Sequence, residues 1–258
     1  MKFLISGGSS ALAQAVAQRL VLQGNEVSLI GRTTQIPFYL ESPDQCLQQH
    51  LDFYDFFLHF AHSFDYQRKP DLNESAAHKI LVATENSGIK KCVYISSDSA
   101  SENAKSMYGQ SKYRTERIFL PSKKWVVLRI GIIVDDMIPS PYQLVRKFVK
   151  TTRILIAPNP NKANFSTTTI QQVVQSLVDS CKSNLTGGPF SVQPKPESVS
   201  LLCLLEQQGT KPKIILKIPY CASILLWSIG KNFKCTRRIV DSIMSTLIDR
   251  EQIRGFPE

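Results

Sequence analysis

The sequence lacks a long apolar run. The longest, at residues 218–230, has about 13 residues and contains Pro219, whereas a helix needs about 20 apolar residues to span a bilayer. The apolar residues after Met1 give way to glycine and serine after Ile5, too early for the core of a secretory signal peptide. We therefore expect a cytoplasmic protein with no transmembrane helix, no secretion signal and no membrane partner.

The sequence also lacks paired cysteines. Its six cysteines are scattered through apolar surroundings and none forms a C-x-x-C motif, which favours reduced, mostly buried thiols over disulfides. His59 and His62 lie three residues apart, but no further cluster of ligands accompanies them in the sequence. We therefore predict no metal site.

Acidic residues are scarce in the later part of the chain. Residues 1–67 hold three basic and six acidic side chains, which leaves 28 basic against 15 acidic in residues 68–258. Such an excess attracts nucleic acid, an anionic membrane or a phosphorylated small molecule. No motif that reads nucleic acid is visible in the sequence, so we predict no nucleic-acid partner. A merely solvated basic surface is the alternative to a phosphorylated ligand.

The first half of the sequence contains an alternation of strand and helix patterns. Strands are predicted at residues 2–6, 26–31, 56–60, 91–96 and 125–130, and helices at 11–23, 72–87 and 108–120. Residues 33–46, which include two prolines, have the composition of a loop. This alternation predicts an α/β fold with a doubly wound parallel sheet, the Rossmann architecture.

The pattern changes after Gly131, where prolines punctuate shorter elements and no linker of low complexity divides the chain. A chain of 258 residues forms one large domain or two small ones. We predict a dinucleotide-binding layer at residues 1–130 and a smaller substrate-binding lobe at residues 131–258 that does not fold independently.

The turn after the first strand has the sequence SGGSSALA, at residues 6–13. Glycine permits close approach of a pyrophosphate to backbone N–H groups, and the N-terminus of the following helix attracts the anion. Ordinary packing of a strand on a helix is the alternative, because Ser10 and Ala13 stand where a strict fingerprint has glycine. The candidate cofactor-binding residues of the turn are Gly7, Ser9, Ser10, Ala11 and Leu12.

Arg32 follows the second predicted strand, directly after Gly31. An acidic residue there would bind the ribose hydroxyls of adenosine, whereas an arginine pairs with a 2′-phosphate. The sequence therefore favours NADP as the cofactor, with NAD still allowed. An arginine that is merely exposed at the start of a loop is the alternative.

Tyr108 and Lys112 are four residues apart in the third predicted helix and therefore share one of its faces. A lysine ammonium beside a tyrosine lowers the pKa of the phenol from about 10, which suits proton transfer near neutral pH. The pair is a candidate acid–base site.

Together these motifs resemble the extended short-chain dehydrogenase/reductases, specifically the NAD-dependent epimerase/dehydratase family, over most of the chain. Residues 6–13 resemble the family's T-G-x-x-G-x-x-G turn, and Tyr108 with Lys112 resembles its Y-x-x-x-K pair. Asp52-Phe53 resembles an Asp-Leu pair that lies near adenine in the family, and His59-Phe60-Ala61-His62 resembles the family's H-L-A-A segment. Residues 93–97 resemble a strand that ends in two serines, and Leu128-Arg129 resembles an L-R pair. Residues 247–257 resemble the family's C-terminal tail.

The resemblance implies hydride transfer between a nicotinamide cofactor and a nucleotide-activated sugar, as in an epimerase or a 4-keto-sugar reductase. It implies that Tyr108 moves the proton of a sugar hydroxyl, and that Lys112 holds the nicotinamide ribose and keeps the phenol acidic. It also implies that Ser97 steadies the reacting oxygen. Further cofactor contacts are implied for Asp52, Phe53, Phe60, Ala61, Tyr108 and Lys112.

The chain departs from the family where a catalytic hydroxyl normally follows the two serines. Asp98 occupies that position, so either Ser97 or Ser99 supplies the hydroxyl or the hydroxyl is missing. Ile132 replaces an asparagine that touches substrate in the family. The implied substrate-binding residues are Asp98, Ser99, Ile132 and, for the diphosphate, Arg153 and Lys162. A cofactor-binding sensor or scaffold without turnover is the alternative function. A homodimer is compatible with the resemblance.

Overall fold

The computed structural model describes residues 1–135, 138, 140–157, 166–192 and 199–217, and the chain divides into two compact units. The first unit contains Met1–Ser97, Ser111–Ile130 and Thr169–Pro194, and the second contains the remaining residues. The predicted division at residue 130 stays a prediction, and the compact units differ from it in one respect. Residues 169–194 return to the first unit because they supply the last helix and the edge strand of its sheet.

In chain order the strands are β1 (Lys2–Ser6), β2 (Glu26–Gly31), β3 (Ile36–Pro37), β4 (Phe56–His59), β5 (Lys91–Ser97), β6 (Trp125–Ile130), β7 (Ile132–Ile133), β8 (Ile154–Ala157), β9 (Thr167–Thr168), β10 (Gly187–Ser191) and β11 (Ile214–Lys217). The helices are α1 (Ala11–Leu22), α2 (Pro43–His50), α3 (Leu72–Glu85), α4 (Met107–Phe119), α5 (Pro141–Thr152), α6 (Ile170–Lys182) and α7 (Leu201–Gln207). A 3₁₀ turn at Leu51–Phe53 precedes β4.

The first unit is built on a seven-stranded sheet in the order β10-β6-β5-β4-β1-β2-β3. Every neighbouring pair of strands is parallel. The strand order reverses at β1 and β4, which lie side by side although the chain forms β2 and β3 between them. This is the switch point of a doubly wound sheet, where ligands bind outside the carboxyl ends of the strands. The predicted Rossmann architecture is confirmed.

The central strands are buried on both faces, which requires continuous apolar sequence rather than alternation. All four residues of β4 and all seven of β5 are buried. Trp125 of β6 stacks on Phe119 with ring centroids 3.9 Å apart, and its indole Nε1 donates to the hydroxyl of Thr84 over 3.0 Å. This packing holds the strands whose carboxyl ends carry the candidate site.

The sequence did not predict β3 or α2, because both lie in or overlap the stretch that reads as a loop. Pro43 occupies the first turn of α2, where its missing N–H would have no partner within the helix anyway. Only Pro43 and Leu47 of α2 are buried, so the helix has too few apolar residues to produce a periodic pattern. Pro37 ends β3 at the edge of the sheet, where a strand tolerates proline.

The second unit contains two short parallel pairs, β7 with β9 and β8 with β11. Its core joins α5, β8 and α7, and Val149, Leu155 and Leu205 are fully buried in it. The hydroxyl of Tyr142 donates to the carbonyl oxygen of Leu204 over 3.2 Å.

Within the described ranges of both units, no helix has the length and apolar character needed to cross a membrane.

Candidate functional site

The turn after β1 presses against the segment that follows β4. Gly7 has a φ of +78°, and a Cβ added to it would lie 2.7 Å from the backbone nitrogen of Ala61 and 2.9 Å from the carbonyl carbon of Phe60. Only glycine fits both the backbone conformation and the space. The turn and the Phe60–Ala61 segment therefore form one continuous floor at the switch point.

Backbone bonds fix the shape of this turn. The N–H of Gly8 donates to the carbonyl oxygen of Ile30 over 3.0 Å, and the N–H of Ser10 donates to that of Gly7 over 2.8 Å. Ser10 is the N-cap of α1, because its Oγ accepts a hydrogen bond from the N–H of Ala13 over 3.2 Å. Serine thus takes a capping role at a position where the family has glycine.

The first turn of α1 retains the donors that an anion needs. Within the described residues, the N–H groups of Ala11 and Leu12 have no protein acceptor, as expected for the start of a helix. Ala13 is fully buried, so α1 packs closely on the sheet with a methyl group where the fingerprint has glycine. The turn fits a pyrophosphate through its backbone donors and the helix dipole.

The carboxyl end of β2 carries hydroxyl groups and a guanidinium. Gly31 is buried, and a Cβ added there would lie 3.2 Å from the Oγ of Ser9. The Oγ of Ser9 lies 2.9 Å from the Oγ1 of Thr33, and Arg32 between them in the chain is exposed. The nearby carboxylate of Glu41 is bound to Lys69; that hydrogen bond, with a smaller contribution from the Arg32 charge, lowers the pKa of Glu41. These groups suit a phosphate better than a ribose diol.

His59 has a structural role at the end of β4. Its Nδ1 lies 2.7 Å from the Oγ of Ser6, which also accepts a hydrogen bond from the N–H of Ala61 over 3.4 Å. The ring stacks on Tyr94 with centroids 5.7 Å apart. Burial, and to a lesser extent the charge of Lys112, lowers the pKa of His59 to about 3. The imidazole is therefore neutral and ties the ends of β1 and β4 together.

Lys112 is a buried ammonium on helix α4. Its Nζ donates to the carbonyl oxygen of Ile95 in β5 over 2.8 Å and lies 4.8 Å from the ring centroid of Tyr94. Burial lowers the pKa of Lys112 to about 7, although the charge of Glu116 opposes that shift. Tyr108 is half-buried in the first turn of α4, one helical turn before Lys112.

Glu116 is a second buried charge on α4 that the sequence did not identify. Its carboxylate receives two hydrogen bonds from Arg129, one from Nε over 2.8 Å and one from Nη2 over 2.6 Å. The arginine of the Leu128-Arg129 motif thus holds the carboxylate that stabilises the charge of Lys112. The spacing of Lys112 and Glu116, four residues apart on one helix, was the available sequence signal.

Asp52 and Phe53, predicted to lie near adenine, are placed elsewhere. They form the 3₁₀ turn before β4, at the amino edge of the sheet, where the Oδ1 of Asp52 accepts from the N–H of Gly88 over 2.7 Å. Dinucleotides bind at the carboxyl edge, so the position of these two residues does not support the predicted contact with adenine, which stays a prediction. The third strand in chain order is β3, and the chain leaves its carboxyl end at Phe38, a core residue.

The second unit brings Asp98 and Ile132 together through Ser166, which the sequence did not identify. The hydroxyl of Ser166 donates to Oδ2 of Asp98 over 2.5 Å, and its carbonyl oxygen accepts from the N–H of Ile132 over 2.8 Å. Ser99 is buried nearby in the chain, and Ser97 is buried at the end of β5 in the first unit. Asp98 is therefore already hydrogen-bonded within its unit.

The two predicted diphosphate contacts have different outcomes. Arg153 is exposed at the C-terminus of α5, with a φ of +61°, and its Nη1 donates to the carbonyl oxygen of Lys211 over 3.4 Å. Its carbonyl oxygen accepts hydrogen bonds from the N–H groups of Lys213 and Ile214 at the start of β11, and its own N–H donates to the carbonyl oxygen of Val149 in α5. Lys162 and the family-like tail at residues 247–257 lie outside the described residues.

In the part of the chain that is described, no three His, Cys, Asp or Glu side chains gather as a metal site would require.

Solved structures share this fold. UDP-N-acetylglucosamine 4-epimerase from Bacillus cereus has a TM-score of 0.65 and 18% identity, and the match covers 100% of this chain and 98% of that one. A human epimerase family protein with NADPH has a TM-score of 0.67 and 16% identity, with coverage of 100% and 96%. UDP-glucose 4-epimerase from Thermus thermophilus, in complex with NAD, has a TM-score of 0.64 and 15% identity, with coverage of 98% and 99%.

No protein-family model and no curated protein matches the sequence. The likeness to solved structures shows that the chain has the fold of the short-chain dehydrogenase/reductases and nucleotide-sugar epimerases.

Proposed function

We propose that this protein is an NADP(H)-dependent oxidoreductase or epimerase of the short-chain dehydrogenase/reductase type, with a nucleotide-activated sugar as its substrate. The observation that carries the proposal is the buried ammonium of Lys112, which donates to the carbonyl oxygen of Ile95 and lies one helical turn after Tyr108. The proteins that share the fold support it, because they include a UDP-glucose 4-epimerase solved with NAD.

The dinucleotide is held by the turn after β1 and by the end of β2. The backbone at Gly7 and the N–H groups of Ala11 and Leu12 receive the pyrophosphate, with Ser9 and Ser10 beside it. Arg32 pairs with the 2′-phosphate of NADP, supported by the hydroxyl of Ser9 and by the absence of a carboxylate in residues 31–35. Phe60 and Ala61 form the floor beneath the cofactor. When bound, the nicotinamide supplies or accepts the hydride.

Tyr108 and Lys112 carry the proton chemistry. Tyr108 takes the proton from the substrate hydroxyl as the carbon that bears this hydroxyl is oxidised, and it returns the proton in the reverse reaction. Lys112 holds the nicotinamide ribose and favours the ionised phenol through its charge. Ser97 or Ser99 steadies the reacting oxygen, and Asp98, Ile132, Arg153 and Lys162 belong to the substrate side.

The experiment is a screen of uridine, thymidine, guanosine and cytidine diphosphate sugars with NADP⁺, NADPH and their NAD counterparts. A reductase consumes NADPH and lowers the absorbance of the reduced nicotinamide, whereas an epimerase keeps its cofactor and yields a new sugar by chromatography. Turnover of at least one nucleotide sugar is expected. If none binds and none changes the absorbance of bound cofactor, the substrate class is wrong.

A cofactor-binding sensor or scaffold is the second candidate, and one observation favours it. Asp98 stands where the family has a hydroxyl, and its carboxylate accepts a hydrogen bond from Ser166. A sensor of this kind binds NADPH with the same residues but shows no hydride transfer under single-turnover conditions. That measurement separates the two candidates.

A further inference from the structure

The strand pair β8–β11 of the second unit has one exposed apolar face. Ile154 pairs in register with Ile214, and Ile156 pairs with Leu216; residues paired in this way, and alternate residues of one strand, point to the same side of a sheet. Ile156, Ile214 and Leu216 are 46%, 51% and 48% exposed, whereas Leu155, on the other side of β8, is fully buried in the core with α5 and α7. We call Ile154, Ile156, Ile214 and Leu216 the aliphatic face.

Three exposed lysines lie at the end of the strand pair where the aliphatic face begins. The carbonyl oxygen of Arg153 accepts from the N–H of Lys213 over 2.7 Å and from the N–H of Ile214 over 3.1 Å. The Nη1 of Arg153 donates to the carbonyl oxygen of Lys211 over 3.4 Å. Lys150 lies in the last turn of α5, three residues before Arg153. We call Lys150, Lys211 and Lys213, which are all exposed, the basic cluster.

The positive charge around the aliphatic face is not compensated nearby in the sequence. Residues 140–157 and 199–217 together contain seven basic side chains and a single acidic one, Glu206. Within the described ranges, no lysine of the basic cluster forms an ion pair. This part of the second unit therefore combines exposed aliphatic side chains with uncompensated cations.

The combination distinguishes between the classes of ligand that a basic surface attracts. Single-stranded nucleic acid needs aromatic side chains for its bases to stack on, and the aliphatic face has none. A phosphorylated small molecule would use the cations but would not cover four aliphatic side chains. An anionic lipid bilayer uses both features, because apolar side chains enter the boundary between headgroups and acyl chains while lysines attract the anionic headgroups.

We propose that the aliphatic face and the basic cluster bind the surface of an anionic lipid bilayer. The contact is peripheral and needs no spanning helix, whereas the expectation of no membrane partner rests on the lack of a long apolar run. The inference goes beyond the proposed function and does not depend on it. It assigns a membrane contact to the second unit alone.

The test is sedimentation of the full chain with vesicles of phosphatidylcholine alone and of phosphatidylcholine mixed with phosphatidylglycerol. Wild type should sediment only with the anionic vesicles, and added salt should weaken this binding. Loss of one lysine from an anionic surface weakens binding by about fivefold, so Lys211→Ala combined with Lys213→Ala should weaken it by about twentyfold. Leu216→Ser should weaken it by about fivefold, because a half-exposed leucine no longer enters the bilayer.

Matched controls come from the first unit. Lys123→Ala combined with Lys182→Ala removes the same net charge from two exposed lysines, and Leu22→Ser removes a leucine that is 78% exposed on α1. Both control proteins should bind the anionic vesicles as wild type does. Urea unfolding shows whether each variant is folded, and the double lysine variant decides the test if Leu216→Ser does not fold.

The remaining outcomes overturn the inference. Wild type that sediments with neither vesicle has its aliphatic face covered in another way, by the apolar run at residues 218–230 of the same chain or by a second copy. Equal losses in the control variants and in the second-unit variants show a non-specific effect of net charge and apolar surface. Release from the vesicles by excess uridine diphosphate shows that the basic cluster binds a soluble diphosphate instead.

Discussion

The Nζ of the buried Lys112 donates a hydrogen bond to the carbonyl oxygen of Ile95 over 2.8 Å. A buried ammonium needs such a partner, because removing it from water costs several kcal/mol unless hydrogen bonds or charges compensate. The Ile95 carbonyl and the ring of Tyr94 supply part of that compensation, and the charge of Glu116 on the same helix adds to it without offsetting the burial. These contacts fix the position of the Lys112 ammonium, and burial lowers its pKa.

This burial predicts a pH-dependent stability. Burial lowers the pKa of Lys112 from its ordinary value of 10.5 to about 7, so between these values the unfolded chain binds a proton that the folded chain has released. The lysine therefore makes the free energy of unfolding rise with pH across that window. Lys112→Met should gain stability relative to wild type below pH 7, and the gain should shrink towards pH 10.5. Urea unfolding of wild type and Lys112→Met, measured across this pH range, tests the prediction. If the difference in free energy of unfolding between the two proteins does not change with pH, the prediction is contradicted.

The ion pair of Glu116 and Arg129 predicts strong coupling. Glu116→Gln leaves Arg129 facing a neutral amide and should destabilise the fold by about 3 kcal/mol, as breaking a buried pair does. Glu116→Gln combined with Arg129→Met removes both charges and should recover most of that loss. A double-mutant cycle on urea unfolding measures the coupling. If the destabilising effects of the single substitutions Glu116→Gln and Arg129→Met simply add, the two hydrogen bonds of this bidentate pair contribute little to stability.

Gly7→Ala should abolish NADPH binding and destabilise the fold. Gly24→Ala is a matched control, because Gly24 has a φ of +79°, close to the +78° of Gly7, yet nothing lies within 4 Å of an added Cβ. Both variants carry the backbone strain of about 1–2 kcal/mol, but only Gly7→Ala forces the turn away from Ala61. Calorimetric titration with NADPH should show normal binding by Gly24→Ala alone. Equal NADPH binding by both variants would contradict the proposed role of the turn at Gly7 in binding the pyrophosphate.

Most of the first unit could be predicted because a parallel sheet buries both faces of its strands. Four of these strands are largely apolar runs that can be recognised without knowing their partners: β1, β4, β5 and β6. In β2 only the last two residues are buried. The short β3 is invisible in the sequence because Ile36–Pro37 gains its conformation from pairing with β2. The expectation for Asp52 and Phe53 rests on their likeness to an Asp-Leu pair, and two residues cannot show at which edge of the sheet they lie.

The side-chain networks could not be predicted, because their partners are far apart in the chain. Asn73 meets Ser111 across 38 positions, and Ser166 meets Asp98 across 68. The turn at residues 6–13 and the Tyr108-Lys112 spacing are local, so a sequence motif reveals them. A network made by tertiary packing leaves no such motif.

Arg32→Ala should remove the preference for NADP(H). The guanidinium pairs with the 2′-phosphate in the proposed complex, so its loss should weaken NADPH binding by about tenfold or more while leaving NADH nearly unaffected. Arg19→Ala is the control, because Arg19 is an exposed arginine near the other end of α1. Calorimetric titration with both cofactors measures the preference. Equal affinities of wild type for NADPH and NADH would contradict the role of Arg32.

Tyr108→Phe should abolish turnover on a verified substrate while leaving the affinity for NADPH nearly intact, because it removes the proton-transfer hydroxyl and keeps the ring. Lys112→Ala should damage both turnover and cofactor affinity, since the ammonium serves the ribose as well as the phenol. Tyr113→Phe is the control: Tyr113 lies on the same helix, directly after Lys112, and should tolerate loss of its hydroxyl. Steady-state rates combined with calorimetric Kd values separate the two effects. Wild-type rates in Tyr108→Phe would end the acid–base assignment and favour the sensor or scaffold instead.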